Sequence, residues 1–476
     1  MSTRQWFEVL STVVELLANK GTEHQRQKAD HAIVSLVGLW LAANHHELSE
    51  EVGASAQDAW AHLLEEHDAP FARLTECAQM VLSRAMPQDT DLLGTITPNF
   101  VNMDSSPKDA STLRRIILKL DRMEKPNEPQ WASFTRELFL HFPSSESREA
   151  TNRRELNALL AGLATRGRDI PNAVYDPACG ECGTLVAVIE QLRASGHKEM
   201  PRLYGQDTNP NALYHGAWRL LLNGARDFRL ALGDVLTSPK FHEGTGELEI
   251  KTFDVVISSP PLNLRVNQPA DTFESDPYRR YAFGPVPSSS TWLFVQHALA
   301  SSTSGGIVVI TASPADLNRP RSADIELRSN LVHAGVLSMV VLVPGGFLSH
   351  RTTLQCAVLV LQRENRPRSD ILFVDGTHVF DERLSPSLAS IGSALLDEAF
   401  EPSPTPHVAA TVGAADIRDN EYALSPERYV PLPSLLEELP DYRLVNQALQ
   451  EHIADLARAQ SRFLETREKV EARLRK

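Results

Sequence analysis

The sequence predicts an α/β protein: a doubly wound, mostly parallel sheet with a helical N-terminal domain before it and a helical tail after it. Apolar residues recur every three to four positions through residues 1–130, which indicates helices. After Pro171, short apolar runs alternate with helical stretches, as in parallel strands joined by crossover helices. Helical periodicity returns after Tyr442. We therefore expect domains over residues 1–130, 131–365 and 366–440, the third extending the second, and a tail over 441–476.

The composition is that of an ordinary globular chain. Of the 476 residues, 42% are hydrophobic and 23% are charged, and 47 basic against 61 acidic residues give a formal charge of −14. A chain this acidic does not coat nucleic acid by itself, because phosphates demand positive patches. If the protein acts on DNA, a local groove or a basic partner must supply the positive field.

Cysteine usage and apolar runs bear on the compartment. Four cysteines are too few for a disulfide scaffold, which favours a reducing cytoplasm. The N-terminus has no basic stretch before an apolar core, so we expect no secretory signal. The longest apolar run, residues 32–43, is shorter than the about 20 residues that span a bilayer, and it is interpreted as a buried helix. We expect a cytoplasmic protein without a membrane partner.

The N-terminal domain is predicted to be a helical bundle without catalytic residues. Its periodic stretches lie over residues 6–17, 33–41 and 60–82. The central domain is predicted to hold six strands and two marked helices. The strands are placed over residues 173–175, 202–205, 253–258, 306–312, 336–343 and 355–361, and the helices over 185–192 and 292–299. Ligands of such sheets bind outside the carboxyl ends of the strands.

The first strand leads into Asp176-Pro177-Ala178-Cys179-Gly180-Glu181-Cys182-Gly183, a turn that precedes a helix. Glycines permit a tight turn and close backbone approach to a ligand, and the helix N-terminus offers free N–H groups. Cys179 and Cys182 could suggest half a zinc site or a redox pair. No second cysteine pair accompanies them, so we expect no metal site.

Three further turns follow the next strands. Asp207 ends the second strand, where an acidic side chain accepts hydrogen bonds from a ribose diol; the alternative is a helix N-cap. Asp234 follows Gly233 after the next helix. A buried strand then runs into Ser259-Pro260-Pro261-Leu262, where two prolines fix the backbone and leave carbonyl and hydroxyl acceptors suited to an exocyclic amino group. Taken alone, this turn also fits a plain loop.

Together, these four turns resemble the motifs of the N6-adenine DNA methyltransferases, specifically the modification (methylase) subunits of type I restriction–modification systems and actinobacterial relatives. DPACGECG is similar to the family's DPACGSGG, YGQDTN to its YGQE-x-N, and SSPPL stands in the place of NPPF or NPPY. RYAFGPVP (280–287), WLFVQHAL (292–299), VLVPGGF (341–347) and SPERYV (425–430) also follow the family. The resemblance spans roughly residues 130–430.

The resemblance implies a class I S-adenosylmethionine-dependent methyltransferase fold with a Rossmann-like sheet. It implies S-adenosyl-L-methionine as methyl donor and the exocyclic amino group of a flipped base as acceptor, with adenine N6 first. It implies cofactor binding by Asp176, Pro177, Ala178, Cys179, Gly180 and Gly183 at the methionine end, by Asp207 at the ribose and by Asp234 at the adenine ring. The implied catalytic residues are Ser259, Pro260, Pro261 and Leu262, with Ser259 and the Pro260 carbonyl accepting hydrogen bonds from the amino group.

Four positions depart from the family pattern. Cys182 replaces a glycine, and its thiol is expected to crowd the cofactor pocket. Thr151-Asn152 replaces Thr-Pro, and Ser259 replaces asparagine, which brings in cytosine N4 as an alternative target. Leu262 replaces the aromatic residue that stacks on the flipped base; stacking is worth about 1–3 kcal/mol. Tyr278 and Phe283 are candidate substitutes.

Three functions stay open on the sequence: an active DNA amino-methyltransferase, a methyltransferase-fold subunit that binds cofactor or DNA and acts in assembly, and a methyltransferase for an acceptor other than DNA. The arginine pairs Arg279–Arg280 and Arg319–Arg321 are candidate phosphate contacts, or solvated surface residues. A separate specificity subunit is expected to read the DNA sequence, and a homo-oligomer is an open alternative.

The C-terminal tail shows a heptad pattern with polar interruptions. Its apolar positions, in alternating steps of three and four, are Leu449, Ile453, Leu456, Phe463, Val470 and Leu474. We expect the tail to hold the specificity subunit; the alternative is a helix packed on its own body.

Overall fold

The computed structural model describes most of the chain up to residue 431. The described ranges are 22–45, 48–65, 67–142, 153–243, 249–262, 264–287, 289–348, 353–363, 368–379, 387–401 and 405–431. The predicted helix over residues 6–17, the Thr151-Asn152 pair and the heptad tail lie outside these ranges. Their predictions therefore stay predictions.

The N-terminal region is helical, as predicted. The helices of this region are α1 (Glu23–Ala43), α2 (Glu50–Leu64), α3 (Pro70–Ala85), α4 (Thr90–Ile96), α5 (Pro107–Asp121) and α6 (Glu128–His141), with a 3₁₀ turn at Val101–Met103. Helix starts are set by local chemistry, because side-chain oxygens satisfy free N–H groups of the first turn. Thr22 accepts from Gln25 N at 3.3 Å, and Asn127 forms a capping box with Gln130.

The apolar run over residues 32–43 lies inside α1 and is buried throughout, which confirms its interpretation as a buried helix. Among the described residues, no helix combines the length and the apolar character needed to cross a membrane. The apolar run instead packs inside the protein, where it contributes to the largest hydrophobic cluster.

The described part of the central region forms one nine-stranded sheet. Its strands are β1 (Ala173–Asp176), β2 (Arg202–Asp207), β3 (Phe228–Leu232), β4 (Phe253–Ser258), β5 (Ser302–Ala312), β6 (Leu337–Val343), β7 (Cys356–Gln362), β8 (Asp370–Asp375) and β9 (Ala409–Gly413). Their order is β3-β2-β1-β4-β5-β7-β6-β8-β9. Five of the eight pairings between these strands are parallel, so the prediction of a mostly parallel sheet is confirmed.

Helices cover the sheet and connect its strands. They are α7 (Arg154–Thr165), α8 (Gly183–Ala194), α9 (Pro210–Leu222), α10 (Ala270–Glu274), α11 (Thr291–Ala300), α12 (Pro314–Asn318), α13 (Ser322–His333), α14 (Leu388–Ala399) and α15 (Ala414–Asp419), with 3₁₀ turns at Gly376–His378 and Pro426–Arg428. All six predicted strands and both predicted helices are present. The sequence analysis missed β3, β8 and β9, whose residues include exposed or half-exposed positions, unlike the almost wholly buried β7.

The N-terminal helices dock on the sheet region through α9. Gly38 of α1 lies so close to α9 that a Cβ atom placed there would be 2.9 Å from the Trp218 ring. One helix turn before Gly38, Ser35 Oγ lies 2.6 Å from the Tyr214 hydroxyl. Residues of α1 and α9 belong to one hydrophobic cluster, so the helices and this side of the sheet share a core.

Candidate functional site

Four loops meet at the carboxyl ends of β1, β2, β3 and β4, and hydrogen bonds join them in sequence. Ser258, which ends β4, donates to Asp176 Oδ1 at 2.7 Å, and Asp176 ends β1. Gly180 N, in the turn after β1, donates to Asp207 Oδ2 at 2.8 Å. Gly233 N then donates to the Asp207 carbonyl at 2.9 Å. The structure thus brings the four predicted turns to one edge of the sheet.

The Asp176 side chain holds the first turn in place through hydrogen bonds to the turn and to two neighbouring elements. This side chain is buried and accepts from Ala178 N at 3.0 Å, from Ser258 Oγ and from the Thr184 hydroxyl. Burial raises the pKa of Asp176 to about 6, against the pull of these donors. The carboxylate therefore joins the strand ends of β1 and β4 to the start of α8, and it lies under the turn rather than on its surface.

The turn itself uses two residues in the left-handed region. Gly180 has φ +50° and Cys182 has φ +59°, and Cys182 N donates to the Cys179 carbonyl at 2.7 Å. Helix α8 begins directly at Gly183, where a Cβ atom would lie 2.6 Å from Asn157 Nδ2. Pro177 and Cys179 are buried, whereas Ala178 and Gly180 are half-buried. The partly exposed surface of the turn is therefore made mainly by small residues.

The Cys182 thiol does not crowd this surface, so that expectation is wrong. Cys182 is fully buried, and its Sγ atom would be 2.7 Å from a Cβ atom placed on Gly216 of α9. The left-handed backbone directs the side chain inward, and the glycine opposite it leaves room for the sulfur atom. The Cys182 side chain belongs to the protein core.

If the turn binds S-adenosylmethionine, as the resemblance implies, replacement of Cys182 by glycine is expected to leave that affinity within about twofold of the wild type. The folding stability is expected to change little, because relief of the positive φ stabilises the variant by about 1 kcal/mol and loss of the buried thiol destabilises it by a similar amount. Titration calorimetry with S-adenosylmethionine measures the affinity, and urea unfolding measures the stability. A large gain in affinity would show that the thiol does obstruct the pocket.

Asp207 is a carboxylate at the end of β2 with unused acceptor capacity. It is partly exposed, and its two oxygens accept from Gly180 N and, at 2.9 Å, from Asn209 N. Burial raises its pKa, and the backbone donors oppose the rise. Each carboxylate oxygen has a second lone pair, which leaves acceptor capacity for a ligand. Asn209, and not Asp207, caps α9 by accepting from Asn211 N and Ala212 N.

Asp234 begins a loop that Gln206 anchors. The buried Gln206 side chain donates to the carbonyls of Gly233 and Ser238 at 3.1 and 2.9 Å and accepts from Lys240 N at 3.0 Å. Asp234 is partly exposed and accepts from Leu236 N at 3.0 Å. Gln206 stands in the recognised YGQD stretch, yet sequence reasoning gave it no role.

The turn after β4 presents a hydroxyl and a proline pair. Ser259 Oγ lies 3.0 Å from the Thr311 hydroxyl at the end of β5, and Thr311 is fully buried. Pro260 is buried and Pro261 is exposed. Leu262 is partly buried and packs against the main hydrophobic cluster. Thr311 was missed because its contact with Ser259 crosses from β4 to β5 and leaves no local signal.

Arg280 is not available for phosphate contact, which corrects that hypothesis. Its side chain is 1% exposed and forms an ion pair with Asp276 at 2.7 Å. It also donates to the carbonyls of Val235 and Leu236 and lies 3.2 Å from His297 Nδ1. Arg280 therefore fastens the Asp234 loop to the segment that begins at α10.

The other three arginines differ in exposure. Arg279 and Arg321 are exposed, whereas Arg319 is bound to the buried Asp316 at 2.7 Å. Of the candidate substitutes for an aromatic at position 262, Tyr278 packs beside His242 and Phe283 packs against the second hydrophobic cluster. Arg279 and Arg321 stay predictions as phosphate contacts.

Among the residues that the structure describes, no group of three histidine, cysteine or acidic side chains could hold a metal ion. The four cysteines are buried and free. Burial raises the pKa of the Cys179 thiol well above its ordinary value, with further contributions from Cys182 and Asp207. The thiol pair is therefore a packed part of the turn.

Two curated proteins to which the chain is similar are methylase subunits of type I restriction enzymes. The chain is 26% identical over 308 residues to the type I restriction enzyme MpnII methylase subunit of Mycoplasma pneumoniae, covering 63% of this chain and 55% of the relative. It is 23% identical over 222 residues to the MjaIX methylase subunit of Methanocaldococcus jannaschii, covering 44% and 37%. The chain thus spans about half or less of each of these curated relatives.

Solved structures share the fold. The type I restriction-modification methyltransferase subunit of Streptococcus thermophilus superposes with a TM-score of 0.67 at 18% identity, over 90% of this chain and 99% of that one. The modification subunit of a putative type I restriction enzyme from Vibrio vulnificus superposes with a TM-score of 0.61 at 14% identity, over 87% of this chain and 93% of that one. The predicted class I methyltransferase fold is confirmed.

A family model described as N-6 DNA methylase matches residues 153–437, which is more than half of the chain. The matched segment contains the four turns at the carboxyl ends of β1 to β4 and the strands that position them. The chain belongs to the N-6 DNA methylase family.

Proposed function

We propose that the protein transfers a methyl group from S-adenosylmethionine to the exocyclic amino group of a flipped DNA base, most directly adenine N6. It would act as the modification subunit of a restriction–modification or related defence system in the cytoplasm. The single observation that carries the proposal is the hydrogen-bonded series that joins the Asp176 turn, Asp207, the Asp234 loop and the Ser259 turn at one sheet edge.

The residues at this edge fit S-adenosylmethionine. Asp207 retains acceptor capacity for ribose hydroxyls, and the half-buried Ala178 and Gly180 permit close approach of the methionine end. Asp234 is partly exposed beside them, where it suits the adenine ring. When bound, this cofactor supplies an electrophilic methyl group on a sulfonium sulfur.

The Ser259 turn would orient the acceptor. In the proposed arrangement Ser259 Oγ would donate to the Thr311 hydroxyl, which lies 3.0 Å away, so that its oxygen would be left to accept one N–H of the target amino group. The Pro260 carbonyl accepts the other N–H. Both hydrogens are then held, and the nitrogen lone pair faces the methyl donor. Catalysis of this kind depends on positioning and needs no covalent protein intermediate.

The test is methyl transfer by the full-length protein. Labelled S-adenosylmethionine and duplex DNA are incubated with the chain, alone and with a candidate specificity subunit, and the labelled base is identified after digestion. N6-methyladenine supports the proposal. N4-methylcytosine would support the alternative that Ser259 raises. Cofactor binding without transfer in any combination would favour an assembly role, and transfer to another acceptor would overturn DNA as the substrate.

Leu262 gives a prediction about base capture. We expect Leu262→Tyr to raise kcat/KM for DNA about tenfold or more, because stacking of a base on an aromatic ring is worth about 1–3 kcal/mol. Leu264→Tyr is the matched control, since Leu264 is exposed and lies two residues further along the same segment. Equal kcat/KM values for the two variants would contradict a stacking position at Leu262.

We also propose a separate specificity subunit, held through the heptad tail over residues 441–476. The heptad spacing of the apolar residues in this segment supports it. Co-purification of the partner with a chain that ends before Leu444 would contradict this role of the tail.

A further inference from the structure

Three buried side chains connect the turn after β1 to the N-terminal helices. Glu181 lies in the turn, His215 lies on α9 and His31 lies on α1; their exposed fractions are 5%, 0% and 2%. Nδ1 of His31 is 2.7 Å from Nε2 of His215. Nδ1 of His215 is 3.7 Å from Oε1 of Glu181. A line of polar atoms therefore runs from α1 through α9 to the turn.

The carboxylate determines the order of protons along this line. A neutral imidazole has one N–H donor and one acceptor nitrogen. Oε1 of Glu181 lies 3.7 Å from Nδ1 of His215, which is too far for a hydrogen bond but close enough to attract a proton on that nitrogen. The tautomer with this proton leaves Nε2 of His215 as an acceptor for the Nδ1–H of His31. Burial, together with the neighbouring His215, lowers the pKa of His31 well below its ordinary value. Neutral His31 fits this order, in which both donors point toward Glu181.

The turn needs support of this kind because its backbone is not favoured locally. Gly180 and Cys182, on either side of Glu181, both have positive φ. Left-handed backbone is costly for a residue other than glycine and persists when its surroundings fix it. The Glu181 side chain extends from the turn into the protein, where its Oε1 atom lies 3.7 Å from Nδ1 of His215.

We propose that Glu181, His215 and His31 form a positioning relay, through which the N-terminal helices fix the turn in the shape that binds the cofactor. The inference rests on the proposed cofactor role of the turn. None of the three side chains is proposed to touch the reacting atoms. The relay assigns the N-terminal helices a part in cofactor affinity, although they supply no residue to the four turns at the sheet edge.

The test compares three single variants of the full-length chain. His31→Leu removes the donor to His215 and leaves a buried acceptor without its partner. His31→Asn keeps a donor near the position of Nδ1 and serves as the conservative variant. Ser35→Ala is the matched control, because it removes the hydrogen bond to Tyr214 that joins the same two helices one turn further along. Thermal unfolding places the variants on one stability scale.

Two measurements are made on each variant: titration calorimetry with S-adenosylmethionine, and hydrogen exchange of the amides over residues 177–183 without cofactor. We expect His31→Leu to weaken cofactor binding about tenfold and to speed exchange in the turn, which is the effect of one lost buried hydrogen bond. We expect His31→Asn and Ser35→Ala to remain within about twofold of the wild type in both.

The outcomes separate the relay from the proposed function. Unchanged binding and exchange in His31→Leu would overturn the relay, and so would equal effects in Ser35→Ala, because general docking of α1 would then explain them. If the wild type does not bind S-adenosylmethionine at all, the proposed function fails. The exchange measurement needs no cofactor and still decides whether His31 supports the turn.

Discussion

Replacement of Asp207 by alanine is expected to weaken binding of S-adenosylmethionine by a factor of about one hundred or more. The carboxylate would lose its hydrogen bonds to the ribose, each worth about 1.5–3 kcal/mol for a charged acceptor, and two such bonds give at least this factor. The change also removes the acceptor of Gly180 N at 2.8 Å and so loosens the turn. Titration calorimetry on the purified chain measures the affinity.

Asp254→Ala is the matched control for this experiment. Asp254 Oδ2 accepts from Asn172 N at 2.7 Å and Ala173 N at 3.2 Å. It thus anchors backbone as Asp207 does, but at the opposite end of β1 and β4. We expect the Asp254 variant to lose stability without a large loss of affinity. If both variants bind equally weakly, or if Asp207→Ala binds within tenfold of the wild type, Asp207 does not hold the ribose.

Replacement of Arg280 by alanine is expected to lower the free energy of unfolding by about 3–5 kcal/mol. The reason is that one partner of a buried ion pair is removed and the Asp276 carboxylate is left uncompensated. The carbonyls of Val235 and Leu236 lose their donor at the same time. Urea unfolding measures the loss. Because these carbonyls lie beside Asp234, cofactor affinity is expected to fall as well.

Two comparisons make the Arg280 result specific. Arg279→Ala removes the same charge from an exposed neighbour and is expected to change stability by less than about 0.5 kcal/mol. The double variant Asp276→Leu with Arg280→Met removes both charges and is expected to lose less than Arg280→Ala alone. Comparable losses in the Arg279 and Arg280 variants would contradict the buried ion pair as the cause.

Sequence reasoning found the four turns that the structure brings together because the signals for them are local. A buried strand followed by a polar turn is visible in the letters around Asp176, Asp207 and Ser259, and parallel strands bring their carboxyl ends to one edge. The sheet class, the helical N-terminal region and six strands could therefore be predicted from short stretches of sequence. The half-exposed strand β3 has no such signal.

What could not be predicted depends on distant contacts. Arg280 was a candidate phosphate contact or a solvated surface residue on the sequence. Its partners Val235 and Leu236 lie more than forty residues away, and burial of an arginine follows only from the assembled fold. His31 lies 184 residues from His215, so the sequence around either histidine does not indicate the proposed relay. The direction of the Cys182 thiol depends on a positive φ and on a glycine in another helix.

The close approach of Cys182 to Gly216 limits which side chains these two positions can hold together. The sulfur atom occupies space that a side chain at position 216 would otherwise take. The Cys182 side chain and a side chain at position 216 would therefore occupy the same space, so a side chain larger than glycine fits at one of the two positions but not at both. In this chain the Cys182 side chain fills space between the turn and α9 in the core, and not the partly exposed surface of the turn.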